Sequence, residues 1–107
     1  MIRHVVLLRF KDDIPSERLA ALEQGFAALA GRIEGVRQLE WGVNCSPEGL
    51  DKGFSHCFFL SFDNAADRDA YLPHGEHQAL VSELQPWLAD ALVLDYAPVS
   101  HSREVPQ

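Results

Sequence analysis

Residues 68–84, RDAYLPHGEHQALVSEL, determine how the second half of this chain folds. The stretch has helical character at both ends, and Pro73-His74-Gly75 interrupts it. Proline lacks the amide hydrogen that a helix interior requires, and glycine tolerates most backbone angles. In an unbroken helix, Tyr71 and His77 would point about 240° apart around the axis. Because the break lets both side chains converge, the stretch predicts two helical segments with a phenol donor beside an imidazole base.

The composition is that of a single globular domain. The chain has 107 residues, of which 47% are hydrophobic and 23% are charged. A net charge of −7 with scattered lysines and arginines argues against a nucleic-acid or membrane partner. The two cysteines form no CxxC pair, and the amino terminus has only four consecutive apolar residues, too few for a signal peptide or a membrane span. We therefore expect a cytoplasmic protein with no nucleic-acid partner and no membrane partner.

The hydrophobic pattern predicts four strands and two helical regions. Strands are predicted over residues 4–10, 36–44, 54–62 and 92–97. The first helix begins near Pro15 and carries an apolar stripe from Leu19 to Ile33. The second region consists of a short helix over residues 65–72 and a helix from about residue 76, whose stripe runs to Leu88 and which Pro86 kinks or ends. This order predicts an α+β, ferredoxin-like βαββαβ sandwich with the helices on one face of an antiparallel sheet.

Two histidines begin the first and third strands and are in phase with rows of apolar residues. We interpret these strands as a central parallel pair, which would place His4 and His56 at one end and on one face of the sheet. Tyr71 and His77 would then complete one end of a pocket, and these two residues are the predicted catalytic pair. The predicted substrate-binding residues are His4, His56, Val6, Leu8, Phe26, Phe58, Leu84 and Trp87, and further apolar lining would come from Leu22 and Leu60.

The other face of the predicted sheet is also apolar. It carries Val5, Leu7, Cys57 and Phe59, and no helix of the chain is left to cover it. An exposed apolar surface of this size usually marks an interface. A second copy of the chain is the simplest cover, so we expect a homodimer formed through this sheet face.

Six motifs follow one another between residues 2 and 98. They are His4-Val-Val-Leu-Leu-Arg-Phe-Lys11, Trp41-Gly42 followed by Asn44, Phe54-Ser-His56, Phe62, Tyr71-Leu-Pro-His-Gly-Glu-His77 and Asp95-Tyr96. In order and spacing the set resembles the stress-responsive α/β-barrel (Dabb) domain family. The resemblance implies a Dabb domain over residues 1–98, with a polar tail over residues 99–107. It also implies a ferredoxin-like protomer that dimerises sheet to sheet into an α+β barrel.

The resemblance also suggests where a reaction would take place. A plant cyclase of this family closes a linear tetraketide thioester by aldol condensation, and its tyrosine and histidine match Tyr71 and His77. Two further histidines of that pocket match His4 and His56. The lining residues are not closely similar, so the polyketide substrate does not carry over. The chemistry that the resemblance implies is acid–base catalysis without a cofactor or metal.

Each of these residues also has a structural interpretation. Tyr71 can pack on the core as an ordinary buried aromatic, and His77 can cap a helix or face solvent. His4 and His56 can be satisfied core histidines, or can bind a metal together with a third histidine, although no HxH or HxxxH pair supports a metal site. Cys57 reads as a small core residue on the opposite face, and His74 reads as solvent-exposed. Asp95 can orient an imidazole or form a salt bridge.

Two functions therefore stay open. The first is a small-molecule enzyme or binding protein with one apolar pocket per protomer, acting as a cyclase, lyase or isomerase on an apolar or aromatic carbonyl compound. The second is a non-catalytic stress-related or assembly protein whose dimer is the functional unit. An open cavity of about 300 Å³ or more that reaches His77 would favour the first function.

Overall fold

The computed structural model describes residues 1–103, so the last four residues of the predicted polar tail, 104–107, lie outside the described residues. In chain order the elements are β1 (Ile2–Phe10), α1 (Ser16–Ala27), α2 (Leu29–Arg32), β2 (Gln38–Val43), β3 (His56–Phe62), α3 (Ala65–Tyr71), α4 (Gly75–Leu84) and β4 (Leu88–Tyr96). The strands form one antiparallel sheet in the order β2-β3-β1-β4. The predicted ferredoxin-like α+β fold is therefore confirmed.

The core lies between the helices and one face of the sheet. Val6, Leu8, Phe58 and Leu60 supply the sheet side of this core. The helices supply Leu22, Phe26, Leu29, Leu80 and Leu84, all of which are buried. The apolar stripe of the first helical region is thus confirmed, although the helix is interrupted at Ala28 between α1 and α2.

The direction of the central strand pair differs from the prediction. β1 and β3 are antiparallel, with His4 opposite Leu60 and Leu8 opposite His56. The reason is the connectivity: α1 and α2 return the chain so that β2 runs parallel to β1, and the β2–β3 hairpin then reverses it. Both histidines point toward the helices, as predicted. They lie at opposite ends of the sheet and not at the same end.

The predicted break in residues 68–84 is confirmed. α3 ends at Tyr71, and α4 begins at Gly75 after a short turn. Asn64 caps α3 by accepting a hydrogen bond from the amide of Asp67, at 2.8 Å. His74 caps α4 in the same way, because its Nδ1 accepts from the amide of Glu76 at 3.1 Å. His74 is therefore a half-buried capping residue, which corrects the prediction that it faces solvent.

The last strand begins four residues before its predicted start. Pro86 ends α4 in a single 3₁₀ turn, Gln85–Trp87, and Leu88 already pairs with Phe10. The amide of Lys11 donates to the carbonyl of Trp87 at 2.8 Å, which fastens this corner to the end of β1. Trp87 and Leu88 thus do not belong to the helical stripe that the sequence predicted.

The second face of the sheet is uncovered in the single chain. Val5, Leu7, Cys57 and Phe59 are only half-buried there. On β4, the neighbouring side chains of Leu92, Leu94 and Tyr96 are 39%, 52% and 44% exposed. No helix within residues 1–103 is both long and apolar enough to cross a membrane.

Candidate functional site

A cavity of about 250 Å³ lies between the helix-covered face of the sheet and α4. Its walls are apolar apart from three polar side chains, and the lining residues are His4, Val6, Leu8, Phe26, Tyr71, Leu72, His77, Leu80, Val81, Leu84, Leu88, Ala91 and Val93. Seven of these residues were predicted as site residues. The other six come from α4, the break before it and β4, whose early start the sequence did not reveal.

Tyr71 is the centre of the polar end of this cavity. Its side chain is fully buried, and its ring centroid lies 5.7 Å from that of His4 and 4.5 Å from that of His77. The predicted convergence of Tyr71 and His77 is therefore present in the structure. Among the described residues, the Tyr71 hydroxyl finds no hydrogen-bond partner. Burial raises the pKa of this phenol well above its usual range, so the hydroxyl keeps its proton and is available as a donor.

His77 presents an unprotonated ring nitrogen. Its Nδ1 lies 2.8 Å from the carbonyl oxygen of Leu72. Because a carbonyl only accepts, Nδ1 must carry the proton, and Nε2 of the neutral ring keeps its lone pair. Burial is the main cause that lowers the pKa of His77. Repulsion from His4 and His74, when those rings are protonated, lowers it further, and the hydrogen bond to the Leu72 carbonyl opposes these effects. A neutral imidazole of this kind can act as a general base.

His4 is held by a carboxylate on the edge strand. Its Nδ1 lies 2.6 Å from Oδ1 of Asp95, and Nη1 of Arg68 donates to Oδ2 of Asp95, also at 2.6 Å. Burial acts to raise the pKa of Asp95, but the hydrogen bonds from Arg68 and His4 outweigh it and hold that pKa below its ordinary value. The two interpretations of Asp95 are thus both correct, because it orients an imidazole and forms a salt bridge.

His56 does not line the cavity. Its Nδ1 and Nε2 lie 2.7 Å from Ser55 Oγ and 2.7 Å from Glu23 Oε2. The ring is packed against Phe10 and Trp41, with centroids 5.0 Å and 6.0 Å away. The predicted meeting of His4, His56 and His77 is therefore wrong, because the antiparallel central pair separates the two sheet histidines.

Four other predicted pocket residues do not line the cavity: Leu22 and Leu60 belong to the buried core, and Phe58 and Trp87 lie beside the cavity. Phe58 stacks on Phe26 with ring centroids 3.9 Å apart, so it supports the wall from within the core. Trp87 lies in the 3₁₀ turn, half-buried against the core. Within residues 1–103, no three histidine, cysteine or carboxylate side chains form a group that could hold a metal ion.

Arg68 and Glu23 are the polar partners that the sequence did not reveal. Arg68 is bonded to a residue 27 positions away, and Glu23 to one 33 positions away. Arg68 precedes Tyr71 by three residues on the same helix, which is the one local signal that it faces the site.

Comparison with known proteins finds one domain family that matches almost the whole chain. A family model described as the stress responsive A/B barrel domain, Dabb, matches residues 2–98. The stress-response A/B barrel domain-containing protein HS1 of Arabidopsis thaliana is 33% identical, over 94% of this chain and 93% of that protein. Olivetolic acid cyclase of Cannabis sativa is 21% identical, over 91% of this chain and 96% of that protein.

The fold is also similar to that of a solved structure. A Bacteroides fragilis protein of unknown function, described as dimeric with a ferredoxin-like fold, superposes with a TM-score of 0.70 and 28% identity. The match covers 89% of this chain and 93% of that one. The similarity therefore extends over almost the whole domain.

We predict that Tyr71→Phe does not destabilise the protein. Within the described residues the hydroxyl has no partner to lose, and phenylalanine removes an unpaired buried polar group, so the free energy of unfolding should stay the same or increase by up to about 3 kcal/mol. Phe58→Ala serves as the comparison, because truncating this stacked core ring should cost about 3–5 kcal/mol. Denaturant unfolding at fixed protein concentration measures both. A Tyr71→Phe loss as large as that of Phe58→Ala would mean that the hydroxyl serves the fold.

We predict that His77 titrates below the ordinary histidine pKa of about 6.5. Since its pKa is lower in the folded than in the unfolded chain, the neutral ring stabilises the fold above about pH 6.5, and this contribution is lost as the pH falls through the folded pKa. NMR titration of the ring carbons measures the folded value, and the same titration in urea supplies the unfolded reference. Equal values in both states would contradict a buried, neutral base.

Proposed function

Because this chain belongs to the stress responsive A/B barrel (Dabb) family, we propose that it is a homodimer with one ligand-binding cavity in each protomer. Each cavity binds a small apolar or aromatic carbonyl compound, and the protein acts on that compound by acid–base chemistry without a cofactor. The observation that carries the proposal is the buried hydroxyl of Tyr71, which has no hydrogen-bond partner among residues 1–103, on a ring whose centroid lies 4.5 Å from that of His77. A buried polar group without a partner has a desolvation cost that a ligand can remove.

The proposed chemistry uses two groups with separate roles. The hydroxyl of Tyr71 donates a hydrogen bond to the carbonyl oxygen of the ligand and stabilises negative charge as it develops there. Nε2 of His77 removes the proton from the carbon next to that carbonyl, which leaves an enolate and an imidazolium. Returning the proton to a different atom gives an isomerisation, and attack of the enolate carbon on a second carbonyl gives a cyclisation.

The apolar walls support this chemistry. Val6, Leu8, Leu80 and Leu84 exclude water from the polar end, and this strengthens each electrostatic interaction with the ligand. General acid–base assistance of this kind contributes about a hundred- to ten-thousand-fold to a rate. The relative named olivetolic acid cyclase supports a catalytic role, while the substrate named there is not transferred to this chain.

The uncovered sheet face supports the proposal that the protein is a homodimer. The Bacteroides fragilis structure of the same fold is described as dimeric, and the apolar residues of β1, β3 and β4 on this face need a cover. Nε of Arg9, also on this face, is buried without a hydrogen-bond partner within the described chain. We place the dimer in the cytoplasm, since both Cys45 and Cys57 are free thiols and such thiols persist in reducing compartments.

The second candidate is a non-catalytic stress-related or assembly protein. Two observations favour it: the cavity, at about 250 Å³, is slightly smaller than the lower end of typical ligand pockets, about 300 Å³, and HS1, a stress-response protein by name, is a relative at 33% identity. In this case the dimer would be the functional unit, and the polar residues would have no reacting partner.

We predict a dimer at micromolar concentration that charged residues on the sheet face disrupt. Leu94→Lys places a charge in the middle of the exposed row of β4 and should shift the protein toward monomer. Val99→Lys is the matched control, because Val99 is 82% exposed and follows β4. Sedimentation velocity measures both. A stable folded monomer of the unaltered chain would contradict the proposal.

We predict that the protein accelerates exchange of the α-protons of phenylacetone with D₂O, followed by proton NMR. His77→Gln removes the base and should reduce the accelerated rate at least tenfold, and Tyr71→Phe should also reduce it, because each group supplies part of a hundred- to ten-thousand-fold effect. His101→Gln is the control, since His101 is exposed and outside the cavity. Binding of phenylacetone without accelerated exchange would favour the non-catalytic function.

A further inference from the structure

The proposed reaction leaves one part of the polar cluster without a role. Arg68, Asp95 and His4 form a connected series that ends at the cavity, and neither proton transfer described above uses it. The series crosses three elements, because Arg68 lies on α3, Asp95 on the edge strand β4 and His4 on the central strand β1. Its geometry determines which nitrogen of His4 faces a ligand.

The carboxylate fixes the tautomer of His4. Asp95 stands directly opposite His4 in the β1–β4 ladder, and its Oδ1 meets Nδ1 at 2.6 Å. An ionised carboxylate only accepts, so in the neutral ring Nδ1 carries the proton and Nε2 is left with a lone pair. The ring is buried, with 4% of its surface exposed, and lines the cavity. The lone pair of Nε2 is thus a second acceptor at the polar end, beside that of His77.

Arg68 fixes the carboxylate in turn. Asp95 lies on an edge strand with 23% of its side chain exposed, where a lone carboxylate would rotate and be hydrated. Nη1 of Arg68 donates a hydrogen bond to Oδ2 of Asp95, so the other carboxylate oxygen, Oδ1, stays directed at Nδ1 of His4. Because Arg68 and Tyr71 are one turn apart on α3, the same helix positions the donor of the site and the partner of its second acceptor.

We propose that Arg68 is a positioning residue that keeps Nε2 of His4 available as a hydrogen-bond acceptor, and that the cavity therefore selects neutral, apolar carbonyl compounds that also carry a hydroxyl group. The choice of ligand rests on the proposed function; the role of Arg68 toward His4 does not. In such a ligand the carbonyl accepts from Tyr71, and the hydroxyl donates to His4. The lining contains no lysine or arginine, so it offers no fixed positive charge for an anionic ligand.

The hydroxyl would contribute to selectivity because the acceptor is buried. A ligand of the same shape without a hydroxyl leaves the lone pair of His4 without a partner in an apolar cavity. Sites that form a hydrogen bond with a hydroxyl discriminate against analogues that lack it, since the unpaired protein group loses its hydration without gaining a hydrogen bond. His56 cannot supply this contact, because both its ring nitrogens are already bonded to Ser55 and Glu23.

The first experiment tests Arg68 in the ligand-free protein. Long-range ¹H–¹⁵N NMR at about pH 8, above the ordinary histidine pKa, reports which ring nitrogen carries the proton, and His4→Gln assigns the signals. We expect the Nδ1–H form of His4 in the unaltered protein, and a shift toward the Nε2–H form in Arg68→Met. Arg68→Lys should restore part of the Nδ1–H population. Asp69→Asn removes the other ion pair of Arg68, at 2.8 Å, and should change nothing.

The second experiment tests the ligand class with two matched probes, phenylacetone and 3-hydroxyphenylacetone. Titration followed by amide shifts should give about five- to tenfold tighter binding of the hydroxylated probe, the worth of one hydrogen bond. Arg68→Met should reduce that preference to about twofold or less, while binding of phenylacetone stays the same.

The outcomes separate the two claims. An Nε2–H form of His4 in the unaltered protein, or an unchanged tautomer in Arg68→Met, overturns the positioning role. Equal binding of the two probes overturns the selection of hydroxylated ligands while the proposed binding function stands. Failure of both probes to bind overturns the ligand class together with the proposed function, and in that case the tautomer experiment alone decides the role of Arg68.

Discussion

The break between α3 and α4 is the feature on which the site depends, because it redirects one backbone carbonyl. In a continuous helix, the carbonyl of Leu72 would accept the amide of Glu76. Here that amide is capped by Nδ1 of His74, and the freed carbonyl accepts from Nδ1 of His77 at 2.8 Å and from Nε2 of Gln78 at 2.9 Å. The interruption thus brings His77 to Tyr71 and also fixes which nitrogen of its ring is basic.

The antiparallel sheet assigns different roles to two similar residues. His4 and His56 are both buried, lie on the same face and are each held by a carboxylate at 2.6–2.7 Å. Only His4 lies at the end where Tyr71 and His77 meet. His56 has both nitrogens bonded and aromatic rings on two sides, so it stabilises the packing of α1 on β3 and has no free polar atom for a ligand.

Local chemistry made much of this structure predictable from the sequence. The proline and glycine of the break, the β-branched strands and the helical stripe of Leu22 and Phe26 each act over a few residues, so their patterns are visible in one chain. Several parts that were wrong or missing depend on distant pairings: the direction of β3 against β1, and the partners Arg68 and Glu23. The early start of β4 at Leu88 is a local error, because a short apolar run fits a helical stripe as well as a strand. A sequence shows that a carboxylate exists but not which imidazole it will meet across the sheet.

The hydroxyl of Tyr71 gives the strongest reason to regard this cluster as a site and not as a core. A fold selected for stability alone would leave phenylalanine there, because a buried hydroxyl without a partner is desolvated for no gain. By contrast, the neighbouring side chains of His4, Asp95 and His77 each form a short hydrogen bond, at 2.6–2.8 Å. An unpaired buried donor beside two firmly held imidazole rings, at the polar end of an apolar cavity, is the arrangement expected where the missing partner is a ligand.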